Sequence, residues 1–168
     1  MKKTLLLIRH AEAEDPAPMC SDFERQLTTK GIMDAAKTGG YFLLKDIRPD
    51  IWISSAADRT LTTAKVMMER LKIDTETIIS NRDMYGGGLQ AYLKAVNNVP
   101  AASNLIALIG HNPDISYFAE YLTHDDFISM SKCGVMIITF EGLEWAEISG
   151  RSGKFEKYFT PKTLLIDE

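Results

Sequence analysis

Along the chain, short apolar runs alternate with stretches in which apolar residues recur at helical spacing. Thr4 to Ile8 is a run of strand length and reads as a buried strand. A helix is predicted from a cap at Thr28 or Thr29 to about Lys45, with Ile32, Ala35, Ala36, Gly39 and Leu43 on its inner face. Gly39 and Gly40 weaken that helix by about 1 kcal/mol each, and close packing against a sheet would explain small residues there. Ile51 to Ser54 reads as a second strand. Arg59 to Leu71 reads as a helix with Leu61, Ala64, Met68 and Leu71 on one face. Thr77 to Ser80 is a short third strand, and Leu89, Tyr92, Leu93 and Val96 mark a further helix. Asn104 to Ile109 is a fourth strand, after which Ile115, Phe118, Ala119 and Leu122 repeat at helical spacing. Val135 to Phe140 and Glu144 to Ser149 read as an antiparallel hairpin around Gly142, and Glu14 to Asp22, with Pro16 and Pro18, as loop. Strands alternating with helices predict a mainly parallel sheet covered on both faces, with at least one antiparallel strand from the hairpin. No repeat, linker or low-complexity segment interrupts the pattern, so residues 1–168 are expected to form one domain.

Composition narrows the function more than the fold. The hydrophobic fraction of 45% and charged fraction of 25% are ordinary for a globular chain, and the net charge is −4 with no basic block. Nucleic acid is therefore not an expected partner, and an anion site would have to be a local cluster of positive groups. Cys20 and Cys133 have no metal-ligand spacing and read as reduced thiols. After Met1-Lys2-Lys3 the apolar run Leu5–Ile8 stops at Arg9 and His10, too short for a signal-peptide core or a membrane span. A cytoplasmic protein with no membrane partner is the resulting expectation.

Polar residues follow three of the predicted strands directly. Arg9 and His10 follow the first, Ser54 and Ser55 the second with Arg59 one helical turn on, and His111 and Asn112 the fourth. In a parallel sheet these positions share one edge, where ligands of such sheets bind. Singly, each has an ordinary reading: a packed histidine, a surface salt bridge, a solvated helix start. Together, two arginines and two histidines make a phosphate-type anion pocket, since guanidinium forks match phosphate oxygens. Asn112 and Pro113 read as cap and first residue of a helix starting at His111, its positive end towards that pocket.

Arg9-His10-Ala11, Arg59 after Ser54-Ser55, and Gly110-His111-Asn112-Pro113 together resemble the histidine phosphatase superfamily. Arg25-Gln26-Leu27-Thr28-Thr29-Lys30-Gly31 and the closing Pro161-Lys162-Thr163-Leu164 are similar to its small SixA-type phosphohistidine phosphatases. The resemblance covers almost the whole chain. It implies a three-layer α/β/α, phosphoglycerate mutase-like fold whose six-stranded sheet has its fifth strand antiparallel. It also implies His10 as the nucleophile that accepts a phosphoryl group, and Arg9, Arg59 and His111 as groups binding its oxygens. Arg25 would lie near the pocket. Gln26 and Ala56 stand where members of the family often carry proline.

Larger members carry a glutamate general acid after the third strand, and Asn81 to Gly88 contains none. Asp83 and Glu12 are the nearest candidates, each with a solvated loop charge as its plain reading. Without a positioned acid, a basic alkoxide leaves poorly, whereas imidazolium has a pKa of about 6.5 and leaves easily. The stretch Ser80–Ser103 leaves no room for a lid insertion, which suits a substrate side chain on a protein surface. The expected activity is hydrolysis of phosphohistidine on a protein through phospho-His10, with no cofactor or metal. His10 should donate from one ring nitrogen to a backbone carbonyl and present the other to phosphorus. The rivals are a small-molecule phosphomonoesterase or mutase-like enzyme of the same fold, and a non-catalytic phosphate-binding module. Oligomeric state is left open, with a monomer as the default.

Overall fold

Two central strands organise the molecule. In the computed structural model, which describes residues 1–126 and 129–164, β1 (Lys2–Arg9) and β4 (Leu105–Gly110) lie side by side in parallel. Successive side chains of a strand point to opposite faces. Leu5, Leu7, Ile106 and Leu108 accordingly enter one core, and Leu6, Ile8, Ala107 and Ile109 the other. Burial on both faces is why these strands read as continuous apolar runs rather than as alternation.

The six strands run in the order β3-β2-β4-β1-β5-β6, with β2 at Ile51–Ser55, β3 at Ile79–Asn81, β5 at Val135–Glu141 and β6 at Lys154–Phe159. Only β5 runs against the others, pairing antiparallel with both β1 and β6. Helices α1 (Thr29–Leu44), α2 (Asp58–Arg70) and the short α5 (Pro161–Leu164) cover one face. The other face is covered by α3 (Gly88–Asn97) and α4 (Asp114–Thr123). The chain moves outward from β1 through β2 to β3, then returns to place β4 between β1 and β2. This is the three-layer, mainly parallel architecture expected, and no helix among the described residues is long and apolar enough to cross a membrane.

Local predictions differ from the structure at four places. The inner face of α1 is rotated from the one read: Ala35, Thr38, Gly39 and Phe42 are buried, while Ile32 and Leu43 are exposed. Gly39 serves a helix contact rather than a sheet contact, since a Cβ there would lie 3.0 Å from the Met67 Cα of α2. Helix α4 begins at Asp114, not at His111. Asn112 does not cap it; the side chain instead donates to the Met130 carbonyl at 2.9 Å and accepts from the Ser116 hydroxyl. Finally, Glu144 to Ser149 is not a strand. Trp145–Glu147 forms a 3-10 turn that drives Trp145 into the core between sheet and helices, its Nε1 donating to the Ser103 carbonyl at 2.7 Å. The partner of β5 is Lys154–Phe159 further on.

Candidate active site

The register of the parallel strands sets up the site. Arg9 pairs with Gly110, so the chain leaves β1 and β4 with His10 beside His111, their rings 5.4 Å apart. Ser54 pairs with Ile109, which brings Ser55 next to the same exit, and its hydroxyl lies 2.8 Å from His111 Nε2. Gly110 is required at this crossing: a Cβ would lie 2.2 Å from the Tyr92 hydroxyl. That hydroxyl accepts from the His111 backbone N–H at 2.9 Å.

His10 is fixed on all sides. Its N–H donates to the Gly110 carbonyl at 3.1 Å, and its carbonyl accepts from Cys133 N–H at 3.0 Å. The next N–H, of Ala11, donates to Thr63 Oγ1 on α2 at 3.0 Å. The ring is fixed too, with Nδ1 2.7 Å from the Ala11 carbonyl oxygen. A carbonyl only accepts, so Nδ1 carries the hydrogen and Nε2 is the nitrogen with a free lone pair.

Four cationic or donor groups surround it. Arg9, at the end of β1, donates from Nη1 to the Met130 carbonyl at 2.8 Å, while its Nε is buried without a partner. His111 Nδ1 is likewise buried and unpartnered. Arg59, the second residue of α2, is buried, and Arg25 comes in from the loop before α1. With Asp15, Lys132, Ala13 and Asn112, these residues line a cavity of about 260 Å³. Burial, with the Arg59 and Arg9 charges, lowers the His10 pKa to about 4 against a pull upward from the Ala11 carbonyl. Burial and Arg59 lower that of His111 to about 3. Both imidazoles are therefore neutral at pH 7.

A carboxylate that the sequence did not single out holds two of these arginines. Asp22 accepts from Arg59 Nη2 at 3.0 Å, from Arg25 Nη1 at 2.8 Å and from the Tyr85 hydroxyl at 2.6 Å. Its backbone carbonyl also accepts from Arg59 Nη1 at 2.6 Å. Tyr85, Arg25 and Arg59 hold this carboxyl well below the usual carboxylate range. The Tyr85 ring stands edge-on to His111, 5.6 Å between centroids, and closes that side. The loop Glu14–Asp22 thus meets the site, lining the cavity through Asp15 and holding Arg25 and Arg59 through Asp22.

Arg9, His10, Arg25, Arg59 and His111 are brought together. Glu12 and Asp83 are not. The Glu12 carboxylate accepts from the Thr28 hydroxyl at 2.9 Å, where Thr28 caps α1. Asp83 is exposed on the 3-10 turn Arg82–Met84, and neither residue lines the cavity. The carboxylate on the cavity wall is Asp15. Cys133 is buried beneath Thr38 with its thiol pushed up to about 12, and His124 ends α4 in a left-handed conformation, so neither belongs to the site. No group of histidine, cysteine and carboxylate side chains among the described residues could hold a metal ion.

Among solved structures, the chain is similar to a SixA phosphohistidine phosphatase assignment from Agrobacterium tumefaciens, with 22% identity and a TM-score of 0.80 over 95% of this chain and 99% of that one. It is similar to another from Nakamurella multipartitia, with 24% identity and a TM-score of 0.78 over 96% and 97%. A third is the protein histidine phosphatase SixA complexed with tungstate, with 19% identity and a TM-score of 0.78 over 96% and 99%. At these identities the likeness establishes a shared fold. No curated protein sequence matches. The family model described as histidine phosphatase superfamily (branch 1) matches residues 5–95, a stretch that runs from β1 into α3 and holds Arg9, His10, Arg25 and Arg59. That match spans more than half of the chain, and the protein belongs to the histidine phosphatase superfamily.

Proposed function

We propose that the protein is a phosphohistidine phosphatase working through a covalent intermediate on His10. The observation that carries this reading is the state of His10: a neutral imidazole, Nδ1 tied to the Ala11 carbonyl, Nε2 without a protein partner, in a cavity lined by arginines. Nε2 attacks phosphorus in line, the new N–P bond forms, and the substrate's imidazole leaves with the bonding pair and takes a proton. Water then attacks the phosphorus of phospho-His10, releasing inorganic phosphate and restoring the imidazole. Arg9, Arg59 and His111 supply charge and donors to the phosphoryl oxygens in a preorganised setting. If the Ser55 hydroxyl donates to His111 Nε2, His111 Nδ1–H is left to donate to the phosphoryl group. Arg25 adds long-range positive charge.

The choice of phosphohistidine rests on the absence of an acid from the two positions where the sequence offered one. Glu12 is occupied at the α1 cap and Asp83 faces solvent. Imidazole does not need a strong acid to leave, whereas an alkoxide does. A similar structure is that of a protein histidine phosphatase complexed with tungstate, a tetrahedral oxyanion, and tungstate is expected to inhibit here. One observation favours the small-molecule reading: Asp15 lies on the cavity wall and is the carboxylate there to test as a general acid.

The test is turnover on a histidine-phosphorylated protein with rapid quenching. Acid-labile, base-stable phosphate on His10, absent from His10→Gln, is the expected result. Steady turnover by the His10→Gln variant would remove His10 from the mechanism.

A further inference from the structure

Beside the catalytic cavity lies a larger groove of about 680 Å³ that the reaction does not use. Arg9 and Lys132 line both, so the two adjoin. Lys30, Asp34 and Lys37 form one wall at helical spacing along α1, and Lys162 at the start of α5 stands at the end. Lys30 is matched by Asp34 at 2.8 Å. Among the described residues, Lys37, Lys132 and Lys162 make no ion pair. A chain with net charge −4 has thus gathered unmatched cations along one groove beside the candidate site. Asp15, which lines the catalytic cavity, does not line the groove.

We infer that this groove is the docking surface for an acidic face of the phosphorylated protein substrate. The inference rests on the phosphohistidine reading and adds the chemistry of the partner. A phosphohistidine that reaches His10 brings the protein surface around it against the rim of the cavity. Carboxylates flanking the modified histidine meet the lysines of the groove, which favours orientations that lay the acidic face along it. Lysine suits this task, being a mobile point charge that attracts carboxylates without demanding one geometry. A free phosphate would be satisfied by the catalytic cavity and has no use for a groove of this length. Charges of this kind act mainly on the rate of encounter, and so on kcat/KM at low salt.

The experiment uses two synthetic histidine peptides phosphorylated with phosphoramidate, one flanked by glutamates and one by glutamines, with free phosphohistidine as reference. The enzymes are the wild type and Lys37→Glu/Lys162→Glu, two residues outside the catalytic cavity. Wild type should show a kcat/KM about tenfold or more higher on the glutamate peptide at low salt, falling with added salt. The double variant should lose that preference while keeping the wild-type rate on free phosphohistidine. Equal rates on the two peptides in the wild type, or a preference that survives the double substitution, overturn the docking surface and leave the phosphohistidine reading intact. Failure to hydrolyse free phosphohistidine and both peptides removes that reading and the docking surface with it. A single-stranded oligonucleotide that inhibits the wild type more strongly than the glutamate peptide binds, and loses this in the variant, assigns the groove to nucleic acid instead.

Discussion

Burial of His10 as a neutral group makes folding depend on pH in a way that one substitution isolates. Its pKa in the folded protein is about 4, and an unfolded chain protonates histidine at about 6.5. Below pH 6.5 the unfolded state takes up a proton that the folded state refuses, so stability falls as the pH falls, and levels off below about 4. The whole displacement, at 1.36 kcal/mol per pH unit, is worth about 3 kcal/mol. Between pH 7 and 4.5 the difference is about 2 kcal/mol. His10→Gln keeps a polar side chain and removes the titration. Urea unfolding of both proteins at pH 7 and 4.5 gives the four free energies needed. Carboxylates elsewhere titrate in both proteins and cancel, and so does most of the effect of His111. The wild type should lose about 2 kcal/mol more than the variant over this interval. Equal losses would mean that folded His10 titrates like an unfolded histidine, and burial would not be what keeps the nucleophile neutral. A bound tetrahedral dianion favours the imidazolium, so saturating tungstate should shrink the wild-type loss.

Two further substitutions separate positioning from chemistry. Asp22→Ala should cost only about 1 kcal/mol of stability, because the carboxylate is half exposed. It should lower kcat by about tenfold or more through a misplaced Arg59 and tighten tungstate inhibition, since Arg25 and Arg59 lose the anion that now neutralises them. Unchanged kcat with weaker tungstate inhibition would show that Asp22 does not hold Arg59 for catalysis. With Asp15→Asn, rates across aryl and alkyl phosphates should fall with leaving-group pKa as steeply as in the wild type. A slope that steepens in the variant makes Asp15 a working general acid and moves the protein to the small-molecule reading.

What could be read from the chain and what could not divides along a physical line. Strand β1 and the exit of β4 were legible because burial on both faces writes a local signature, and because parallel strands place their ends on one edge whatever the loops do. That, with the end of β2, was enough to place Arg9, His10, Arg59 and His111 at one sheet edge. The errors fall where tertiary contacts overrule local pattern. Leu143, Trp145 and Ile148 have the apolar content of a strand, but the gap between the sheet and α3 and α4 takes Trp145 and Ile148 as fillers, and the strand forms at Lys154–Phe159, whose Lys, Glu and Lys disguise an edge position. Asp22 is the instructive case. Its partners Arg25, Arg59 and Tyr85 come from three separate segments, and nothing local marks it out among the other carboxylates of an acidic loop. Once it is in place, several loose ends join. Arg25 is held at the cavity by Asp22 on one side and by the Glu14 carbonyl on the other. The stretch after the third strand, read for a missing acid, contributes Tyr85, which hydrogen-bonds the carboxylate that braces the phosphate-side arginine. The loop Glu14–Asp22 therefore supplies part of the cavity wall through Asp15 and fixes Arg25 and Arg59 through Asp22.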